Sequence, residues 1–306
     1  MTNKTVTKKA YAKVNLGLDI VGLREDGYHL VKMIMQTIDL FDVLTFQPAE
    51  RPGIFLKISE KSTIPDVADV PTDGRNLIVK AAGRILEKAG IPDAGVEILL
   101  EKHIPMAAGM AGGSTDCAAA LRGVAELMGL DPGEKELAEI GVSLGADVPY
   151  CLMGGTALSE GIGEVLTPLP ALPPCGFLIV KPEFGASTKE VYGAYDRLMP
   201  EEIRHPDIDG MTEALNQGDL SGVAARLGNV LEPVTVAMHP QIRTIEDLIR
   251  RSGVKDTIMT GSGPTVFGIL PETIKDAEHA AEKSRCISEI KEQLKTAGIP
   301  AQVLIV

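Results

Sequence analysis

The chain has no tryptophan, and aromatics make up only 4% of its 306 residues. Aliphatic side chains and methionine must therefore fill any core, and the few aromatics placed on turns become informative. Cysteine is also sparse. Cys117, Cys151, Cys175 and Cys286 are widely spaced and form no C-x-x-C pair, which argues against a disulfide framework and for thiols in a reducing compartment. Positive charge is in deficit, with 30 Lys and Arg against 42 Asp and Glu, a net charge of -12. That balance excludes a broad basic face for nucleic acid or anionic lipid, although one cleft can still be basic enough for a small anion. No apolar run approaches the roughly 20 residues of a membrane span. Residues 1–9 are polar and lack a signal-peptide core. The expectation is a cytoplasmic protein with a small-molecule partner, no nucleic acid and no membrane, as a monomer or weak homodimer.

What is present is a 44% hydrophobic chain, ample for a packed core, organised around one stretch. Residues 105–116 read Pro-Met-Ala-Ala-Gly-Met-Ala-Gly-Gly-Ser-Thr-Asp. An apolar run with strand character, 96–100, precedes it. Ala118, Leu121, Val124, Ala125 and Met128 follow at helical spacing. Ser114, Thr115 and Asp116 fall at the helix start, where unpaired N–H groups and the positive dipole end suit a phosphate. The stretch lacks the Gly-Lys-Ser/Thr ending of a Walker A loop, and its glycines do not form G-x-G-x-x-G. Two readings stand for it alone: a close-packed connection, or a phosphate cradle. In the second, Ser114 is both a helix cap and an oxygen ligand for Mg²⁺.

Other residues bear on that choice. Lys13 stands in an apolar strand pattern over 11–22. It either faces solvent or is buried against an anion such as Asp147, which lies in a loop between Gly145 and Pro149. Were the two to meet, Asp147 would take the proton of an acceptor hydroxyl and Lys13 would stabilise the alkoxide. Tyr28-His29 follows an Asp26-Gly27 turn, a placement suited to stacking on a flat base. The cluster 260–265 is either a hairpin turn or a backbone anion site.

The remaining chain reads as β-rich over 6–46, a loop over 59–75, and helices over 76–89, 134–144, 188–198, 211–217, 240–252 and 273–297. Strands fall at 156–159, 164–168, 176–181, 256–260, 265–270 and 301–306. Four prolines in 168–174 mark a boundary, which divides the chain into domains 1–168 and 176–306. Irregular alternation of strands and helices favours α+β.

Three separated motifs resemble those of the GHMP kinases, the superfamily of galactokinase, homoserine kinase and mevalonate kinase. They are Ala12-Lys13-Val14-Asn15-Leu16, residues 105–116 and residues 261–267. Asp26-Gly27-Tyr28-His29 and residues 145–149 further resemble the branch acting on CDP-linked methylerythritol in the non-mevalonate route to isoprenoids. The resemblance implies a two-domain α+β fold, with an N-terminal domain like the second domain of ribosomal protein S5 and a ferredoxin-like C-terminal domain. It implies ATP and Mg²⁺ as cofactors and a catalytic pair at Lys13 and Asp147. It places ATP on Pro105, Met106, Ala107, Ala108, Gly109, Met110, Ala111, Gly112, Gly113, Ser114 and Thr115, with Asn76, Leu77 and Lys102 near the adenosine. It places the acceptor's cytosine near Tyr28, His29 and Tyr192, with Asn15 and Thr188 alongside. Ala107 and Ala111 replace glycines common in relatives, so Ala111 carries a Cβ unfavourable at φ > 0. The competing expectations are a homoserine- or mevalonate-type kinase, a catalytically silent nucleotide-binding protein, and a redox or metal protein built on the cysteines.

Overall fold

The computed structural model describes residues 4–275 and 279–306. In chain order the elements are β1 (Val6–Leu23), β2 (His29–Pro48), β3 (Gly53–Ile58), α1 (Leu77–Lys88), β4 (Gly95–Glu101), α2 (Gly112–Met128), α3 (Glu134–Leu144), α4 (Val148–Met153), β5 (Thr156–Glu160), β6 (Val165–Pro168) and β7 (Cys175–Pro182). There follow α5 (Thr188–Tyr195), α6 (Ile208–Asn216), α7 (Leu220–Ala224), β8 (Gly228–Asn229), α8 (Glu232–Met238), α9 (Gln241–Arg251), β9 (Thr257–Met259), β10 (Val266–Pro271), α10 (Ala280–Thr296) and β11 (Ala301–Ile305). The class is α+β.

The chain divides into two compact units, and β1 and β2 contribute residues to both. The first holds residues 4–12, 39–106 and 111–154. Its sheet pairs β2 with β4 antiparallel, Leu44 opposite Leu100, and β4 with β3 in parallel, Ile98 beside Leu56. Alternate residues Leu44, Phe46, Val96, Ile98 and Leu100 point to one side and join a core with Ile78, Ala81 and Ile85 of α1 and Leu121 and Val124 of α2. Each such large side chain removed from water contributes roughly 1.5–3 kcal/mol. The alanine-rich face of α2 lets it sit close to the sheet. At Gly123 a Cβ would lie 2.2 Å from the Phe46 ring, so the lack of a side chain there makes room for one of the few aromatics.

The second unit holds residues 13–38, 107–110 and 155–306, residues 276–278 aside. Here β1 pairs with β8 in parallel, β2 with β5 antiparallel, and β5 with β6. A separate antiparallel sheet runs β11-β7-β10-β9. Leu178 and Val180 of β7 and Val303 of β11 pack with Ile242, Ile245 and Ile249 of α9 and Ile290 and Leu294 of α10. Between β9 and β10 the expected hairpin is present, Met259 opposite Val266.

Several expectations shift. Residues 146–149, read as a loop, lead into α4, because Pro149 falls in a helix's first turn, where its missing N–H costs nothing. Strand β3 and helices α7 and α8 carry no sequence signal. The helix expected over 273–297 is a 3₁₀ turn, Glu272–Lys275, and then α10, with residues 276–278 outside the described part. Among the described residues no helix is long and apolar enough to cross a membrane.

Candidate active site

In the first unit the start of α2 carries the nucleotide-loop candidates. Ala111 is left-handed (φ 57°, ψ 27°), and the Thr115 N–H returns to its carbonyl at 2.9 Å. The N–H groups of Gly112, Gly113 and Ser114 precede that first helical bond and lie where an anion would be received. Leu77 lies against this turn: a Cβ on Gly113 would be 3.7 Å from its side chain. Asn76 caps α1, accepting the Ile78 N–H at 2.9 Å and donating to the Pro71 carbonyl at 2.7 Å. Pro105 is buried, and Met106 packs against the first core. Ser114 faces Gly145, whose Cβ, were there one, would be 3.7 Å from its hydroxyl. Asp147, two residues on, precedes α4 and makes no capping bond to it.

Beneath this turn is a group of buried charges. Lys102 Nζ pairs with Asp42 and, at 2.7 Å, with Asp116. Asp42 also accepts the N–H groups of His103 and, at 2.8 Å, Ile104. Burial, aided by the Asp42 charge, pushes Asp116 up to about 8 against the pull of Lys102. Desolvation disfavours the charged form of Lys102, but the two carboxylates together outweigh it and hold the ammonium above the usual lysine value. The arrangement is that of one cation shared between two buried carboxyl groups. Asp116 Oδ1 is buried with no hydrogen-bond partner among the described residues. A Cβ on Gly112 would lie 3.2 Å from Lys102 Nζ, so the buried ammonium supports the turn directly.

In the second unit Lys13 and Asn15 are both buried on β1. Lys13 Nζ donates to Asn15 Oδ1 at 2.6 Å, and the Lys13 N–H reaches the Met110 carbonyl at 3.2 Å. Residues 107–110 rest on the β9–β10 hairpin loop. A Cβ on Gly109 would come within 2.5 Å of the Thr260 carbonyl, and one on Gly261 within 3.1 Å of the Gly109 carbonyl. Both glycines have φ > 0, so neither position tolerates a side chain. Ala107, at φ 48°, is exposed and Ala108 buried. The Thr260 hydroxyl accepts the Asn15 N–H at 2.9 Å, and the Thr188 hydroxyl bonds that of Ser262 at 2.9 Å.

A second cluster in this unit joins His29 and Tyr192, ring centroids 4.8 Å apart, with His29 Nε2 bonded to Asp196 at 2.6 Å. Tyr28 points outward at 59% exposure, under the Arg24 guanidinium. The loop residues 107–110 and the first β1 motif thus come together with the third motif, as do His29 and Tyr192. Sequence reasoning does not single out Asp42, Asp196 or Asn229. Asp42 carries the same signal that flags Lys13, a charge inside an apolar strand.

Burial, with the Asp116 charge, pushes the Cys117 thiol up to about 12, which argues against nucleophilic use of it. No group of three or more His, Cys, Asp or Glu is placed to hold a metal among the described residues.

The family profile "GHMP kinases N terminal domain" matches residues 76–155, and "GHMP kinases C terminal" matches 211–296. A 4-diphosphocytidyl-2-C-methyl-D-erythritol kinase of Lachnoclostridium phytofermentans is 47% identical over 279 residues, covering 91% of each chain. One of Caldicellulosiruptor saccharolyticus is 44% identical, covering 94% of this chain and 95% of that one. A crystal structure of 4-(cytidine 5'-diphospho)-2C-methyl-D-erythritol kinase superposes with TM-score 0.76 at 32% identity over 98% of both chains. Homoserine kinase from Cytophaga hutchinsonii reaches the same TM-score at 18% identity, a likeness of fold. The chain belongs to the GHMP kinases, ATP-dependent small-molecule kinases, in the group formed by its 4-diphosphocytidyl-2-C-methyl-D-erythritol kinase relatives.

Proposed function

We propose that the chain transfers the γ-phosphoryl group of ATP to the 2-hydroxyl of 4-diphosphocytidyl-2-C-methyl-D-erythritol, a cytoplasmic step of the non-mevalonate isoprenoid route. The observation that carries this reading is 47% identity over nine-tenths of both chains with a kinase named for that acceptor. In this reading residues 1–168 form the N-terminal kinase domain and 176–306 the C-terminal one.

The site residues take roles that their surroundings support. The N–H groups of residues 112–114 receive ATP phosphate oxygens, helped by the dipole of α2. Residues 105–111 and Thr115 shape the loop, and Asn76, Leu77 and Lys102 border the adenosine. Lys102 does so from its buried ion group, so its side chain braces the loop and its neighbours meet the nucleotide. Asp147 accepts or orients the acceptor hydroxyl proton, and Lys13 stabilises the charge that develops on oxygen. Phosphoryl transfer has a loose transition state, so positioning outweighs base strength. His29, Tyr192 and Tyr28 take the cytosine, with Asn15 and Thr188 on the acceptor side.

A magnesium ion fits this donor set. The Ser114 hydroxyl is a hard oxygen beside a glycine that leaves it room. The lack of a carboxylate cluster among the described residues suits an ion held chiefly through nucleotide phosphates. When bound, Mg²⁺ neutralises charge on the β- and γ-phosphates.

The test is ADP release with three acceptors: the CDP-linked alcohol, homoserine and mevalonate. Turnover of the first in preference to the others is the expected result. Preference for either of the others overturns the substrate assignment, and no turnover with any, in protein that binds ATP, overturns the enzyme assignment.

A further inference from the structure

Asn229 lies outside all of the kinase motifs. It ends β8 inside the apolar run 227–231 and is 7% exposed. A buried amide must satisfy its donors and its acceptor. Asn229 Nδ2 donates to the carbonyls of Met259 and Gly261, each at 2.8 Å, and Oδ1 accepts the Leu231 N–H at 3.0 Å. The amide therefore grips the hairpin loop on both sides of Thr260. Nearby, the Met259 N–H donates to Glu232 Oε2 at 2.9 Å, which fixes the same residue from its other polar group.

Thr260 is where this frame meets β1. Its hydroxyl accepts the Asn15 N–H at 2.9 Å and donates to Asn15 Oδ1 at 3.4 Å. The same Oδ1 accepts from Lys13 Nζ at 2.6 Å. Every member of the series Asn229, Thr260, Asn15 and Lys13 is buried, so a shift in one passes to the next rather than being absorbed by solvent. The Gly109 backbone rests on the Thr260 carbonyl as well, and the loop segment moves with the frame.

We propose that Asn229 is a positioning residue for phosphoryl transfer. By holding the Met259 and Gly261 carbonyls it fixes the Thr260 hydroxyl, which orients the Asn15 amide that locates the Lys13 ammonium. The proposal rests on the reading of Lys13 as the charge-stabilising group. Asparagine suits the position chemically. An aspartate would set a carboxylate against two carbonyl oxygens, and an aliphatic residue would leave both carbonyls buried without a donor.

The test compares full-length Asn229→Ala, Thr260→Val, Thr260→Ser and Lys13→Ala by steady-state kinetics with ATP and the CDP-linked alcohol, with thermal unfolding as the control for folding. A displacement of about 1 Å in a positioned group costs on the order of 10²-fold in rate. Asn229→Ala and Thr260→Val are therefore expected to lose about 10²-fold in kcat, with KM for both substrates within about threefold of wild type. Thr260→Ser, which keeps the hydroxyl, retains kcat within about threefold. Wild-type kcat in folded Asn229→Ala or Thr260→Val overturns the proposal. So does an equal loss in Thr260→Ser, because the hydroxyl would then transmit nothing. Should Asn229→Ala not fold, Asn229→Asp keeps the size and the acceptor while losing both donors, and the same two outcomes decide. If Lys13→Ala turns over at the wild-type rate, the reading of Lys13 fails. If Lys13→Ala is inactive while the Asn229 and Thr260 variants are normal, only the positioning role falls.

Discussion

Two buried lysines, one in each unit, differ in the side chains bonded to them. Lys102 is bonded by two buried carboxylates, and its own N–H and carbonyl are taken by Ser62 and Thr63. Lys13 is bonded by the amide oxygen of Asn15, a neutral acceptor that orients the ammonium without itself cancelling the charge. A buried ion pair is weak as a source of stability but costly to break, since removing one partner strands the other. An amide contact instead fixes where a charge points. On the proposed reading the difference separates a brace from a reagent: Lys102 holds the turn at Gly112 from below, and Lys13 would stabilise charge developing on the acceptor oxygen.

The largest effects should come from exchanging the roles of these two lysines. Lys13→Ala is expected to lower kcat about 10³-fold, the order found for loss of a group aimed at developing charge, while cooperative unfolding is retained. Lys102→Ala leaves Asp42 and Asp116 buried without their cation and should lower the unfolding free energy by about 3–5 kcal/mol. Urea denaturation of both variants beside their kinetics checks the pair. A Lys102→Ala protein with the wild-type midpoint and a collapsed kcat would break the distinction.

Much of this arrangement is legible in the amino-acid sequence alone, and the part that is not has a physical reason. Lys13, residues 105–116 and the 260–265 cluster stand out because their signals are local: a charge in an apolar strand, glycines before a helix, a hairpin turn. The helical face of Ala118, Leu121 and Val124 shows through its period and is buried. Asp42 carries the same local signal as Lys13, but its role is hidden because it depends on Lys102, 60 positions away. Strand β3 is hidden because a parallel edge strand is defined by β4, almost forty residues later, and not by its own residues. Asn229 is inconspicuous because an amide between apolar residues looks like any other until the two carbonyls it serves are known. Helix α4 is masked by Pro149, which stops a helix from within and favours one at its start.

A smaller effect is a response to pH that the two networks share, for Asp116 of the first is likewise pushed up to about 8. The support of the second unit includes Glu232, which burial and the neighbouring Glu246 charge push up to about 8, against the pull of the Met259 N–H and of Arg243. Its ordinary value is 4.5, so the folded state binds this proton more tightly than the unfolded one. The contribution is fully present below the unfolded value and is lost as pH rises through about 8. Wild-type unfolding free energy should therefore fall between roughly pH 5 and pH 9. Glu232→Gln, neutral throughout, should remove the Glu232 share of that slope and leave the Asp116 share, while keeping an acceptor for the Met259 N–H. Urea midpoints at three pH values decide it, and an unchanged slope would mean that the titrating group lies elsewhere.

The smallest effect concerns the loop that both lysines serve. Ala107 and Ala111 are the non-glycine residues with positive φ among those described, one in each unit. A Cβ in the left-handed region costs roughly 1–2 kcal/mol. Replacement by glycine removes that cost and adds about 0.5–1 kcal/mol of unfolded-state entropy. Ala111→Gly should thus stabilise the protein by roughly 0–1.5 kcal/mol, read as at most a small rise in the urea midpoint. Because the main chain at Ala111 already has the geometry a glycine would take, the N–H groups of residues 112–114 stay where they are, and the KM for ATP should not change. A fall in that KM would mean that the alanine Cβ itself intrudes on the nucleotide, and the loop would then be tuned by its side chain rather than by its backbone.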